Sequence, residues 1–161
     1  MPNNQQERLR IANWMVGFTD GEGCFSVSII KNSTTKSGWQ IFPEFVITQG
    51  EKSLVALKNI QKYFNCGKIY INRRKDNHKE NLYRYCVRSK SDLKEKIIPF
   101  FEKNQLLTAK KMDFEKFHKI ILLMDQKKHL SKNGVKQIAR IIQKMNRMVP
   151  ARFLESSETA R

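Results

Sequence analysis

Two pairs of strand-like segments, each preceded by a stretch of helical spacing, constrain this chain more than any other feature. Cys24–Lys31 alternates, with Phe25, Val27 and Ile29 on one face and Cys24, Ser26, Ser28 and Ile30 on the other. Asn32–Gly38 is polar and turn-rich. Gln40–Thr48 alternates again, with Ile41, Phe45 and Ile47 inward and Gln40, Glu44 and Thr48 outward. Pro43 cannot donate to a ladder, so this strand is expected at an edge or with a bulge. In the second pair, Lys68–Arg74 sets Ile69 and Ile71 against Lys68, Tyr70, Asn72 and Arg74. Leu82–Arg88 sets Tyr83, Tyr85 and Val87 against Arg84, Cys86 and Arg88, with Lys75–Lys79 as a charged hairpin tip.

Helical spacing covers Gln6–Asp20, Gly50–Phe64, Asp92–Phe101 with Ser91 as N-cap, and Thr108–Met124. After a break at Ser131–Gly134 it returns through Val135, Ile138, Ile142 and Met145. The order αββαββα plus C-terminal helices predicts an α+β fold: one curved, antiparallel four-stranded sheet whose apolar face helices cover. Residues 1–149 are expected to form one domain, and 150–161 a loose tail.

Charge narrows the partners. The chain has 31 Lys plus Arg against 15 Asp plus Glu, a formal +16. Such an excess favours a polyanion, nucleic acid first and an anionic membrane second. No apolar run approaches the roughly 18 residues of a membrane span, and Met1–Arg10 lacks a signal-peptide core. No membrane partner is therefore expected. Three widely spaced cysteines without a Cys-x-x-Cys pair exclude a disulfide framework, and three histidines show no metal-ligand spacing. The chain reads as intracellular or organellar. The outward sheet face is rich in hydrogen-bonding side chains, and a curved β ribbon fits the DNA major groove. Bases outnumber acids from Lys68 to Lys90 and from Lys103 to Lys144, which suits phosphate contacts.

Met15-Val16-Gly17-Phe18-Thr19-Asp20-Gly21-Glu22-Gly23 is the unusual stretch. Glycine inside a helix costs about 1 kcal/mol against alanine, so Gly17 implies a close approach to the backbone. The Asp-Gly-Glu-Gly end places carboxylates where a bound metal could meet a substrate. This segment resembles the nine-residue signature of the LAGLIDADG homing endonucleases. Gly17 matches the third position, Asp20 the sixth, Glu22 the eighth and Gly23 the ninth. Val46-Ile47-Thr48-Gln49, Val87-Arg88-Ser89, Ile98-Pro99-Phe100-Phe101 and Lys110-Lys111 extend the similarity to the single-motif branch.

The resemblance implies a homodimeric, sequence-specific DNA endonuclease. It would cut both strands of a long, pseudo-palindromic site and promote intron mobility, in an organelle. It implies that Val16 and Gly17 form the dimer seam and that Gly21 and Glu22 hold Mg²⁺ (or another divalent cation such as Mn²⁺). Glu22 from each subunit would share the cations that relieve their repulsion. Gln49 would organise water, Lys110 would lie near the scissile phosphate, and Asp20 would be structural. A basic residue expected about four positions after Gln49 is Ser53 here; the adjacent Lys52 points about 100° away on a helix. Glu22 replaces the commoner aspartate, adding one methylene. DNA-reading candidates are Ser26, Ser28, Ile30, Asn32, Gln40, Glu44, Val46, Tyr70, Asn72, Arg74, Arg84 and Arg88. Two other classes remain open: an RNA maturase assisting group I intron splicing, and a non-catalytic DNA-binding regulator.

Overall fold

The computed structural model describes residues 4–73 and 80–146. Helix α1 (Asn4–Glu22) leads into β1 (Gly23–Lys31) and β2 (Trp39–Gly50). A 3-10 turn (Glu51–Ser53) and α2 (Leu54–Phe64) precede β3 (Lys68–Asn72) and β4 (Leu82–Val87). Next come α3 (Lys90–Asp92), a π-helical turn (Leu93–Ile97) and α4 (Ile98–Lys103), then α5 (Lys110–Asp125) and α6 (Lys132–Ile142). The four strands form one antiparallel sheet in the order β1-β2-β4-β3, so the αββαββα order read from the sequence is the observed one.

Contacts divide the chain into two compact units, each built from two segments. The first joins residues 1–24 to 45–111. Its core gathers Met15, Phe45, Ile47, Leu57, Ile60, Tyr85, Leu93, Ile97 and Phe101. Phe45 meets Phe101 at 5.6 Å, and Phe64 meets Phe100 edge-on at 5.2 Å, geometries that add to plain burial. The second joins residues 25–44 to the described residues from 112 to 146. There Phe25 packs on Phe114 and Phe117 at 5.2 and 5.4 Å, and Phe117, Val135 and Ile138 are fully buried.

Several boundaries differ from expectation. Helix α1 does not stop at Asp20 but runs through Gly21 and Glu22. It ends at Gly23, where an added Cβ would lie 2.6 Å from Thr19 Cγ2 and 2.9 Å from the Thr19 carbonyl oxygen. The strand thus leaves by passing tightly against the last helical turn, which only glycine permits. Pro43 does not mark an edge strand, because β2 is interior to the sheet. It lies beyond the last β2–β4 pair, Phe45↔Val87, so β4 loses no hydrogen bond to it. The cap of α3 is Ser89, whose Oγ accepts from the Asp92 backbone N–H at 3.3 Å, rather than Ser91. Ser131–Gly134 is no long break: Ser131 Oγ accepts from Gly134 N at 3.1 Å and caps α6 directly. The expected hairpin tip (Lys75–Lys79) and the tail from 150 lie outside the described residues.

Candidate functional site

The end of α1 separates two acids that stand two residues apart. Successive helical residues turn by about 100°, so Asp20 and Glu22 leave the helix on different sides. Asp20 is engaged. Its carboxylate accepts from the backbone N–H of Leu107 at 2.8 Å, from the Thr108 hydroxyl at 2.7 Å and from the Thr108 backbone N–H at 3.3 Å. Partial burial pushes this carboxyl up, but those three donors and the Lys110 charge outweigh it and hold the group below the ordinary carboxylate range. Asp20 therefore ties the end of α1 to the segment that opens α5. The same segment delivers Lys110, whose ammonium donates to the Thr19 carbonyl at 3.0 Å. A cation there also meets the negative end of the α1 dipole.

Glu22 is exposed, as is Gly21 before it. The last four carbonyls of a helix lack intrahelical donors, and Gly21 and Glu22 carry two of them. The tip of α1 thus offers hard oxygens: one carboxylate and terminal carbonyls. Among the described residues no three His, Cys, Asp or Glu side chains of one chain cluster as a metal cage.

The two residues expected at the dimer seam divide. Gly17 is exposed, and an added Cβ there meets nothing within 4 Å. Its own chain does not require the glycine. Val16 is 7% exposed and lines the chain's interior with Ala12 and Met15. Its place in the seam is corrected accordingly: spacing along the helix puts residues 12, 15, 16 and 19 on the inward face. Trp14 is 43% exposed and stacks on Phe18 with ring centroids 5.1 Å apart, beside Gly17.

Gln49 lies on β2, opposite Tyr83 and half-buried. Lys52 is exposed and belongs to the 3-10 turn, while Ser53 stands at the N-cap of α2 without a side-chain cap bond. Sequence reading missed Glu80, whose Oε1 accepts from the Lys52 backbone N–H at 2.6 Å. It also missed Leu107 and Thr108 as the partners of Asp20. These pairs are 28, 87 and 88 residues apart, and local periodicity carries no signal for them.

The strand residues proposed to read DNA differ in freedom. In the second unit, Ser28 and Ile30 are exposed, and Ser26, Asn32, Gln40 and Glu44 are half-buried. Asn32 and Gln40 are not independent: Asn32 Nδ2 donates to Gln40 Oε1 at 2.7 Å. Asn32 Oδ1 also accepts from the Thr34 hydroxyl at 2.7 Å. In the first unit, Tyr70, Asn72 and Arg88 are exposed, and the Arg88 guanidinium lies 5.4 Å over the Tyr70 ring. Arg84 sits half-buried between Thr48 and Tyr70 in the ladder. Val46 shares the sheet face of Thr48 and Arg84 but is 6% exposed and pairs with the buried Cys86, so it does not offer the open contact expected of it. Arg74 lies outside the described residues.

The LAGLIDADG endonuclease family model matches residues 15–121. A probable intron-encoded endonuclease 2 of Neurospora crassa is 39% identical over 127 residues, covering 78% of this chain and 27% of that protein. The chain spans about a quarter of the length of the first curated relatives it matches. Among solved structures, the homing endonuclease I-TnaI superposes with a TM-score of 0.83 at 38% identity, covering 93% of this chain and 97% of that one. I-SmaMI, bound to an uncleaved DNA target in the presence of calcium ions, superposes with a TM-score of 0.82 at 30% identity. That match covers 91% of this chain and 48% of that one. The signature at the end of α1, the sheet order and these matches agree: the chain belongs to the LAGLIDADG endonuclease family.

Proposed function

We propose that the protein is a homodimeric, sequence-specific DNA endonuclease that uses a divalent cation, Mg²⁺ or Mn²⁺, to cut both strands of a long, pseudo-palindromic site. One observation carries the reading. At the tip of α1 the fold engages Asp20 fully and leaves Glu22 exposed beside terminal carbonyls. A single chain supplies one such carboxylate, and a two-fold pairing through the open Gly17 face would bring a second beside it. Two carboxylates at short range are stable together mainly with cations between them. Hard oxygens of this kind suit Mg²⁺, which keeps several waters and also binds phosphate oxygens. When bound, the cation would activate water and stabilise the leaving 3′ oxygen.

The chain's own residues supply the rest. Glu22 and the Gly21 carbonyl hold the cation. Gln49 orients water through its amide. Lys110, anchored on the Thr19 carbonyl, places positive charge near the scissile phosphate. Arg84, Arg88, Asn72 and Tyr70 read base edges or phosphates from one unit, and Ser26, Ser28, Asn32, Gln40 and Glu44 do so from the other. The intron-encoded relative supports a role in intron mobility, and with it an organellar setting.

The test is incubation of the protein with plasmid carrying the intron-insertion sequence, with and without Mg²⁺. Linear product only with Mg²⁺, and binding in both cases, is expected. Binding without cutting would instead mark a DNA-binding regulator. Retained binding to intron RNA with no cutting of DNA would mark a maturase.

A further inference from the structure

We propose that Glu80 is a positioning residue that clamps the β2–α2 corner and thereby sets Gln49 and Lys52 for phosphodiester cleavage. The inference rests on the endonuclease reading above and adds a residue to it. The corner is Gln49-Gly50-Glu51-Lys52-Ser53. Gly50↔Leu82 is the last rung of the β2–β4 pairing, after which β2 leaves the sheet as the 3-10 turn. The ends of ladders and short turns are where a fold opens first. Locally it is closed by the Leu54 backbone N–H on the Glu51 carbonyl, and its N-cap, Gly50, adds no side-chain bond.

Glu80, two residues before Leu82, supplies the missing acceptor from across the sheet. Its Oε1 takes the Lys52 backbone N–H at 2.6 Å, a short charge-assisted bond at the positive end of the turn. The same carboxylate packs against the bare Cα of Gly50. A Cβ there would lie 2.9 Å from Glu80 Cδ and Oε1 and 3.0 Å from Oε2. Gly50 is extended at φ −69, a conformation open to any residue. A Cβ here would therefore push the carboxylate aside rather than strain the backbone. An acid in a segment otherwise rich in Lys and Arg thus has a task that needs no contact with DNA. It braces the residue after Gln49 and bonds the backbone of Lys52, the base that stands beside the family's expected basic position.

Glu80→Ala, Glu80→Gln and Gly50→Ala test this, alone and combined. Single-turnover cutting at saturating enzyme should fall about tenfold in Glu80→Ala, while DNA affinity measured without divalent cation stays within about twofold. Glu80→Gln keeps an acceptor oxygen and should recover most of the rate. Gly50→Ala displaces the carboxylate, so it should slow wild type yet cost nothing further in Glu80→Ala. Hydrogen exchange of the Lys52 amide, read without DNA or metal, should quicken about tenfold in Glu80→Ala. Unchanged exchange, wild-type cutting by Glu80→Ala, or additive losses would overturn the proposal. A wild-type protein that cuts nothing, but whose Lys52 amide is protected through Glu80, would leave the clamp standing and overturn the endonuclease reading.

Discussion

The two faces of α1 use their residues in opposite ways. The inward face spends Ala12, Met15, Val16 and Thr19 on burial, and Asp20 on bonds to Leu107 and Thr108. The outward face leaves Gly17 and Gly21 exposed with open space around both, and Glu22 is exposed at the helix's last residue. Both faces lie within one nine-residue signature. The contrast teaches that a shared motif is not one site. Part of it builds the chain, and part stays exposed where the proposed second copy and cation would meet it. The corner at Gly50 sharpens the point, because there the glycine faces a neighbour's carboxylate rather than open space.

Substitutions can break this comparison face by face. Replacing Glu22 by Gln should lower cleavage by about a thousandfold or more, the scale of losing a metal ligand at the reacting phosphate. Its melting temperature should match wild type, because an exposed side chain holds nothing else. Next, Gly17→Trp should fold as well as wild type but weaken self-association about a hundredfold, read by sedimentation across a dilution series. A normal dimer in that variant would remove Gly17 from the seam. Lys110→Met should cut about tenfold more slowly with Glu22 intact.

The smallest effect belongs to the inward face. Asp20→Asn should cost about 1–2 kcal/mol of stability near neutral pH through its weakened bonds to Leu107 and Thr108. Its carboxyl is held below the ordinary value, so wild type gains from it above about pH 4 and loses that gain as acid protonates it. The stability gap between wild type and Asp20→Asn should therefore be flat above about pH 5 and close as pH falls below about 4. A gap that widened in acid would refute the role given to Asp20.

Much of the fold was legible from short-range pattern. Alternation placed all four strands, and the spacing of Phe114, Phe117 and Ile121 placed α5, because burial on one face imposes those periods. The errors have different causes. Pro43 suggested an edge or a bulge; it lies instead on an interior strand, past the point where β4 stops pairing, and where β4 stops is not encoded by Pro43. Val16 was assigned outward from the motif alone, although its spacing with Ala12 and Thr19 argued inward. Asp20 was recognised as structural, but its partners were not. A carboxylate reaching Thr108, or Glu80 reaching Lys52, depends on how distant segments meet, and no window of sequence contains both ends.

The central claim is that Asp20 holds the fold while Glu22 performs the chemistry. It is tested most directly by measuring melting temperature and Mg²⁺-dependent plasmid cleavage together for Asp20→Asn and Glu22→Gln. The predicted result is a crossed one: Asp20→Asn melts earlier and still cuts below its transition, and Glu22→Gln melts with wild type and does not cut. Cleavage by Glu22→Gln at the wild-type rate, or an unshifted melt for Asp20→Asn, would contradict the account.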